Sequence, residues 1–284
     1  MTQTKQTTAL RTWRWLLLGV SAATLTLNGL AGGTRLLGGV DTAAVSDSFP
    51  NLFAPAGVTF SIWSVIYTLL VGFILYTFGV GRPKKSTLSP TALTQLTKLL
   101  TLNMAANGLW ILAWQYKQLW LSVLLMLVIL GSLIRMADVL RGAPLQGREY
   151  VLAKLPFSIY FGWICVATIA NITTWLVSLH WNGFGLRDGV WMVAVLIVGA
   201  VIGLVTALRN NDAPYLSVFV WAYAGILLKH LSPNGFKGMY PSTIITLTIL
   251  LAVFISTIVL LVAPHICPPH SQALTKNSRR LLYH

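Results

Sequence analysis

Residues 155–176 read LPFSIYFGWICVATIANITTWL, an uncharged run long enough to cross a bilayer as a helix. Within it stand Tyr160, Trp163, Thr168 and Asn171. Polar and aromatic groups at that depth must find partners inside a helix bundle or face a cavity. At helical spacing Pro156, Tyr160, Trp163, Ala167 and Asn171 share one face. The small Ala167 lies between bulky rings and an amide and leaves room beside them. This face reads as the wall of an internal site.

The composition of the whole chain agrees with a membrane setting. Of 284 residues, 56% are hydrophobic and 9% charged, against roughly 25% charged in soluble domains. The mean hydropathy is +0.73. Long apolar runs recur with only short intervals between them, which leaves no room for a large soluble domain. The predicted fold class is therefore all-α, a polytopic transmembrane bundle. Lys5, Arg11 and Arg14 precede the first apolar run, but no small-x-small cleavage site follows, so a retained first helix is expected.

Eight spans are predicted, at about 13–33, 58–78, 96–116, 119–140, 155–176, 190–208, 215–231 and 243–263. The interval 34–55, with Gly38, Gly39, Asp41, Asp47 and Pro50, is the longest and reads as a lid that folds back. Eight spans put both termini on one side. Arg35, Lys117, Arg187, Lys229 and Lys237 then fall on the other side, while the remaining fifteen of the twenty Lys and Arg lie with the termini. By the positive-inside rule both termini are cytoplasmic. The net charge of +14 is thus a record of topology, with anionic-lipid contact, and does not call for nucleic acid.

Two more stripes join the one in residues 155–176. In the second span Phe60, Trp63 and Tyr67 share a face, preceded by Pro55 and Gly57 at a turn. In the third, Asn103, Asn107, Trp110 and Trp114 do so. Trp13, Trp15, Trp120, Trp175, Trp181 and Trp191 lie near predicted helix ends and suit the membrane surface instead. For Trp63, Trp110, Trp163 and Asn171, a shared cavity and plain interhelical packing are both open on spacing alone.

Together the three stripes resemble the TspO/MBR family, the tryptophan-rich sensory proteins related to the mitochondrial translocator protein. Pro55, Trp63 and Tyr67 match its proline turn followed by Trp and Tyr. Asn107 and Trp110 match its Asn-x-x-Trp, and Tyr160, Trp163, Ala167, Thr168 and Asn171 match its fifth-helix motif. The resemblance covers about residues 13–178. A second proline before Trp63 is missing, Phe60 stands one residue late, and Ile159 replaces a proline before Trp163. The resemblance implies a five-helix bundle with a pocket for tetrapyrroles, sterols or similar molecules, and a role in transport or in sensing oxygen or light stress. On this reading residues 1–180 form a five-helix unit and 181–284 a three-helix extension with a basic tail.

Other chemistries find little support. The acidic residues Asp41, Asp47, Asp138, Glu149, Asp188 and Asp212 all fall in predicted loops or near helix ends, so no carboxylate pair or triad sits at bilayer depth. No His pair has metal-ligand spacing on a helix, and His265 and His270 flank Cys267 in the tail. Cys165 within a helix and Cys267 in the tail argue against a disulfide. Neither enzyme activity, metal nor cofactor is expected, and a tetrapyrrole would be a ligand.

The leading expectation is a multi-pass protein of the plasma membrane that binds a hydrophobic small molecule. Trp63, Tyr67, Asn107, Trp110, Tyr160, Trp163, Ala167 and Asn171 would form the site, with Asn107 and Asn171 bonding the ligand's polar edge. A permease for an uncharged solute and a structural subunit of a membrane complex are the alternatives. Partners beyond the ligand would be membrane lipids and a second copy in a homodimer, and the close-packing pair Gly199 and Gly203 permits a place in a larger complex.

Overall fold

A computed structural model describes residues 3–266, and these residues form helices with no strand among them. Ten α-helices follow one another: α1 (Gln3–Gly33), α2 (Thr42–Asp47), α3 (Ile62–Thr77), α4 (Pro90–Gln115), α5 (Leu119–Leu140), α6 (Gly147–Ala153), α7 (Leu155–Ser178), α8 (Asp188–Asn210), α9 (Ala213–Leu231) and α10 (Pro241–Ile266). A 3-10 turn, Gly57–Ser61, leads into α3. The tail beyond residue 266, with Cys267, His270 and His284, lies outside the described residues.

Local chemistry sets the helix ends. The Ser89 hydroxyl accepts from the Ala92 amide at 3.1 Å, and Pro90 takes the first turn of α4. That cap starts α4 six residues ahead of the expected 96. Asp212 caps α9 by accepting from the Tyr215 amide at 3.1 Å. The α4–α5 turn is as short as the sequence predicts, with Lys117 at a φ of 54°. The α5 bounds coincide with the expected span. At its end Asp138 meets Arg135 at 3.8 Å and Arg141 more closely at 2.5 Å.

Five long helices close a ring in the order α1, α4, α5, α7, α3 and back to α1. On its outside α9 packs along α7, and α8 and α10 complete the layer. The α7–α9 seam is close. A methyl on Gly162 would stand 2.5 Å from the Tyr215 carbonyl oxygen, so only glycine fits there. Gly199 and Gly203 serve a similar seam within the chain. A methyl at Gly199 would meet the Tyr223 hydroxyl at 2.6 Å, and one at Gly203 the Phe219 ring at 2.8 Å. Aromatic side chains of α9 thus fill the small-residue face of α8, and an association with a second copy would need another surface.

Six segments are long and apolar enough to span a membrane: α1, α3 with its 3-10 turn, α5, α7 with the short helix before it, α8 and α10. The chain is an integral, multi-pass membrane protein. Two long helices fall below that apolarity, and both are central. α4 lies between α1 and α5 and carries buried Asn103, Asn107 and Gln115. α9 is enclosed by α7, α8 and α10. Asn103, Asn107 and Gln115 of α4 and His230 of α9 meet protein and not lipid, which is where such groups are tolerated.

Candidate functional site

The three predicted stripes converge inside the ring. Trp63 of α3 is the hub, with its ring centroid 5.3 Å from Tyr67, 5.8 Å from Trp110, 5.9 Å from Tyr160 and 6.2 Å from Trp163. Phe60 adds an edge contact to Trp163 at 6.1 Å, and Trp114 stacks on Trp110 at 5.9 Å. Rings at these separations already touch. A flat ligand would lie against them or part them.

Beneath the rings runs a hydrogen-bonded chain. The Asn107 carbonyl oxygen accepts from the Asn28 amide at 3.0 Å and from the Tyr67 hydroxyl at 3.1 Å. The Asn107 amide donates to the Tyr160 hydroxyl at 2.8 Å. One residue thereby ties α1, α3, α4 and α7. Higher in the bundle the Asn171 carbonyl oxygen accepts from the Trp110 indole at 2.9 Å, and its amide donates to the Ser122 hydroxyl at 2.8 Å. Asn103 makes a separate link, donating to the Ser132 hydroxyl at 2.8 Å and the Ile129 carbonyl at 3.2 Å.

Beside the ring cluster lies a small, partly open cavity, with about 40 Å³ in which the centre of a water molecule fits. α7 supplies one wall with Trp163, Val166, Ala167, Ala170, Asn171 and Thr174, and α4 another with Trp110 and Trp114. Phe60, Trp63 and Met126 close the sides. Thr42, Ser46 and Pro55 come from the interval 34–55, which does fold back over this space. None of the lining side chains is an acid, a base or a thiol.

Of the eight predicted site residues, Trp63, Trp110, Trp163, Ala167 and Asn171 line the cavity. Tyr67, Asn107 and Tyr160 are not among its lining residues and belong to the hydrogen-bonded chain. Both expected amides already have protein partners. The free polar group in the wall is a different one: the indole nitrogen of Trp163, a side chain 3% exposed, has no hydrogen-bond partner. A donor left unpaired at that depth is costly, and Trp163 also lines the cavity.

The lid is built by its own short helix. Asp41 caps α2 by accepting from the Ala44 amide at 2.9 Å. Gln115, at the end of α4, donates to the carbonyls of Val40 at 2.8 Å and Leu37 at 3.1 Å, and the Trp114 indole donates to the Thr42 carbonyl at 3.1 Å.

Two buried groups outside the cavity escape sequence reasoning. Glu149 in α6 is 4% exposed and accepts from the Tyr76 hydroxyl at 2.6 Å, from the Thr87 hydroxyl at 2.6 Å, from the Thr87 amide at 3.1 Å and from the Ser86 hydroxyl. Arg148, Glu149 and Lys154 make α6 more polar than the uncharged run that begins at Leu155. His230 is fully buried against Phe236 and Tyr240, with its Nδ1 3.0 Å from the Ile226 carbonyl. No sequence signal distinguishes either from a solvated loop charge. Among the described residues no group of three His, Cys, Asp or Glu side chains could hold a metal ion.

Compared with known proteins, the chain matches the sequence model of the family described as TSPO-like protein over residues 14–262. That match runs from α1 through α8, α9 and most of α10. No curated protein and no solved structure matches it.

Proposed function

The chain belongs to the TSPO-like protein family, and from that premise we propose that it binds a hydrophobic, partly polar small molecule in the cavity between α3, α4 and α7. Tetrapyrroles and sterols are the ligand classes, bound for sensing or for transport. The observation that carries this reading is the buried, unpartnered Trp163 indole nitrogen in a wall where Trp110, Trp114 and Asn171 are paired within the chain. Trp63, Trp110 and Trp163 supply flat contact, Trp163 donates to an oxygen or nitrogen acceptor, and Ala167 leaves the space. Asn171 fixes the Trp110 ring at the wall, and Tyr67, Asn107 and Tyr160 fix the rings from beneath. The lid of residues 34–55 covers the mouth.

The lining favours a binder over an enzyme, since it offers no acid, base or thiol, and so no base to activate its Ser and Thr hydroxyls. The proposal includes eight spans with both termini in the cytoplasm and a plasma-membrane location. The basic-residue asymmetry and the enclosure of α4 and α9 by other helices support the span count. It also includes a division into a five-helix unit that holds the site and a three-helix extension that packs on α7.

A ligand that binds the folded state raises its melting temperature by mass action. In detergent, protoporphyrin IX or cholesterol at saturating concentration is expected to raise the melting temperature of the native chain. Ala167→Leu, which fills the space, is expected to melt normally and to show no such rise. A rise of equal size in both proteins would place the ligand elsewhere.

A further inference from the structure

The lid is held on two sides, and the second side belongs to the C-terminal helices. Lys229 of α9 pairs with Asp47 at the end of α2, with Nζ 2.8 Å from Oδ1. One turn back, the Gly225 carbonyl accepts from the Ala56 amide at 3.0 Å. One further turn back, the Trp221 indole donates to the Thr59 carbonyl at 2.9 Å. Gly225 has no room for a side chain, because the buried Thr59 side chain fills the place where its Cβ would stand. Residues 221, 225 and 229 recur every four positions, so one face of α9 grips the lid and the turn that follows it.

That turn leads directly to the cavity. Thr59 precedes Phe60, and Trp63 follows one turn later, while Ser46 and Pro55 line the cavity from the lid itself. Any displacement of α9 therefore moves the cover and two of the aromatic walls together.

We infer that Trp221, Gly225 and Lys229 are positioning residues for ligand exchange, with α9 as the fixed post of the lid and the Asp47–Lys229 pair as its releasable latch. The inference rests on the cavity being the binding site, but its first test does not. The three anchors differ in strength. Asp47 is 62% exposed and Lys229 22%, so the ion pair is weak and sensitive to salt. The Ala56–Gly225 and Trp221–Thr59 bonds sit deeper and act as the hinge. Opening breaks the outer contact while the inner two persist.

The test is hydrogen exchange followed by mass spectrometry on the full chain in nanodiscs. Lys229→Gln is expected to speed amide exchange in residues 42–53 by about two- to fivefold, the scale on which an exposed ion pair acts. Exchange in α4 and α7 should stay unchanged. About 0.5 M salt should have the same effect on the native chain and none on the variant. The swapped pair Asp47→Lys with Lys229→Asp should restore slow exchange.

With protoporphyrin IX as probe, Lys229→Gln should raise association and dissociation rates together and leave Kd within about twofold, because both end states keep the same contacts. Lid exchange that ignores Lys229→Gln, salt and the swap would overturn the inference. So would probe rates that do not change although the lid has loosened. A native chain that binds no probe while its lid responds as described would sink the binding-site reading and leave the anchoring by α9 standing.

Discussion

The Trp110 indole donates to the Asn171 side-chain carbonyl at 2.9 Å, and this bond joins α4 to α7 across the candidate cavity. Both residues line the space, so one contact serves as strut and wall. Asn171→Ala leaves the Trp110 indole without its acceptor and removes the bond that Ser122 accepts. The expected loss is about 1–2 kcal/mol of stability in detergent, as for interhelical bonds in bundles, together with weaker ligand binding. Thermal unfolding and a binding titration on the same preparation measure the two effects.

Asn107 predicts a different balance. Its side chain connects Asn28, Tyr67 and Tyr160 and is not among the cavity-lining residues. Asn107→Ala should cost about 2–3 kcal/mol in stability, since three polar groups lose their partner. Ligand affinity in the fraction that stays folded should change less than in Asn171→Ala. Equal effects of the two substitutions on affinity would contradict the division into wall and framework.

The Glu149 cluster predicts a loss of stability. Its carboxylate accepts from the Tyr76, Ser86 and Thr87 hydroxyls and from the Thr87 amide, and so joins α6 to α3 and to the turn before α4. Glu149→Gln should lower stability by about 1–2 kcal/mol, because an amide cannot accept all of these bonds. A melting temperature equal to that of the native chain would remove Glu149 from this role.

The α8–α9 seam predicts the effect of added bulk. Gly203→Val would press against the Phe219 ring, where even a methyl would stand at 2.8 Å. Overpacking of this kind costs about 1–3 kcal/mol. Because α9 also holds the lid, faster exchange in residues 42–53 should accompany the loss of stability. Normal lid exchange in a destabilised Gly203→Val chain would show the two to be uncoupled.

Most long helices were legible because each carries a long apolar run, and α5 was read to the residue because its whole length is one. The three aromatic stripes were legible because helical spacing sets which side chains share a face. What each polar group bonds to was not. Asn107 and Asn171 read as free amides in the sequence, and only the packing of helices distant in the chain supplies Asn28, Tyr160 and Ser122 as partners. Trp163 emerges as the open donor by the same route. α2 is too short for a periodic signal, and only its Asp41 cap hints at it. The grip of α9 on Thr59 and Asp47 joins residues more than 160 positions apart, which no local pattern reports.

The most direct measurement is intrinsic tryptophan fluorescence of the purified, folded chain, titrated with protoporphyrin IX and with cholesterol, beside Trp163→Phe. That substitution keeps a ring in the wall and removes the unpaired donor. The account predicts saturable quenching by one of the two in the native chain and an affinity lower by about five- to tenfold in the variant, the worth of one buried hydrogen bond. Equal affinity in both proteins, or no saturable response of the native chain to either ligand, would contradict it.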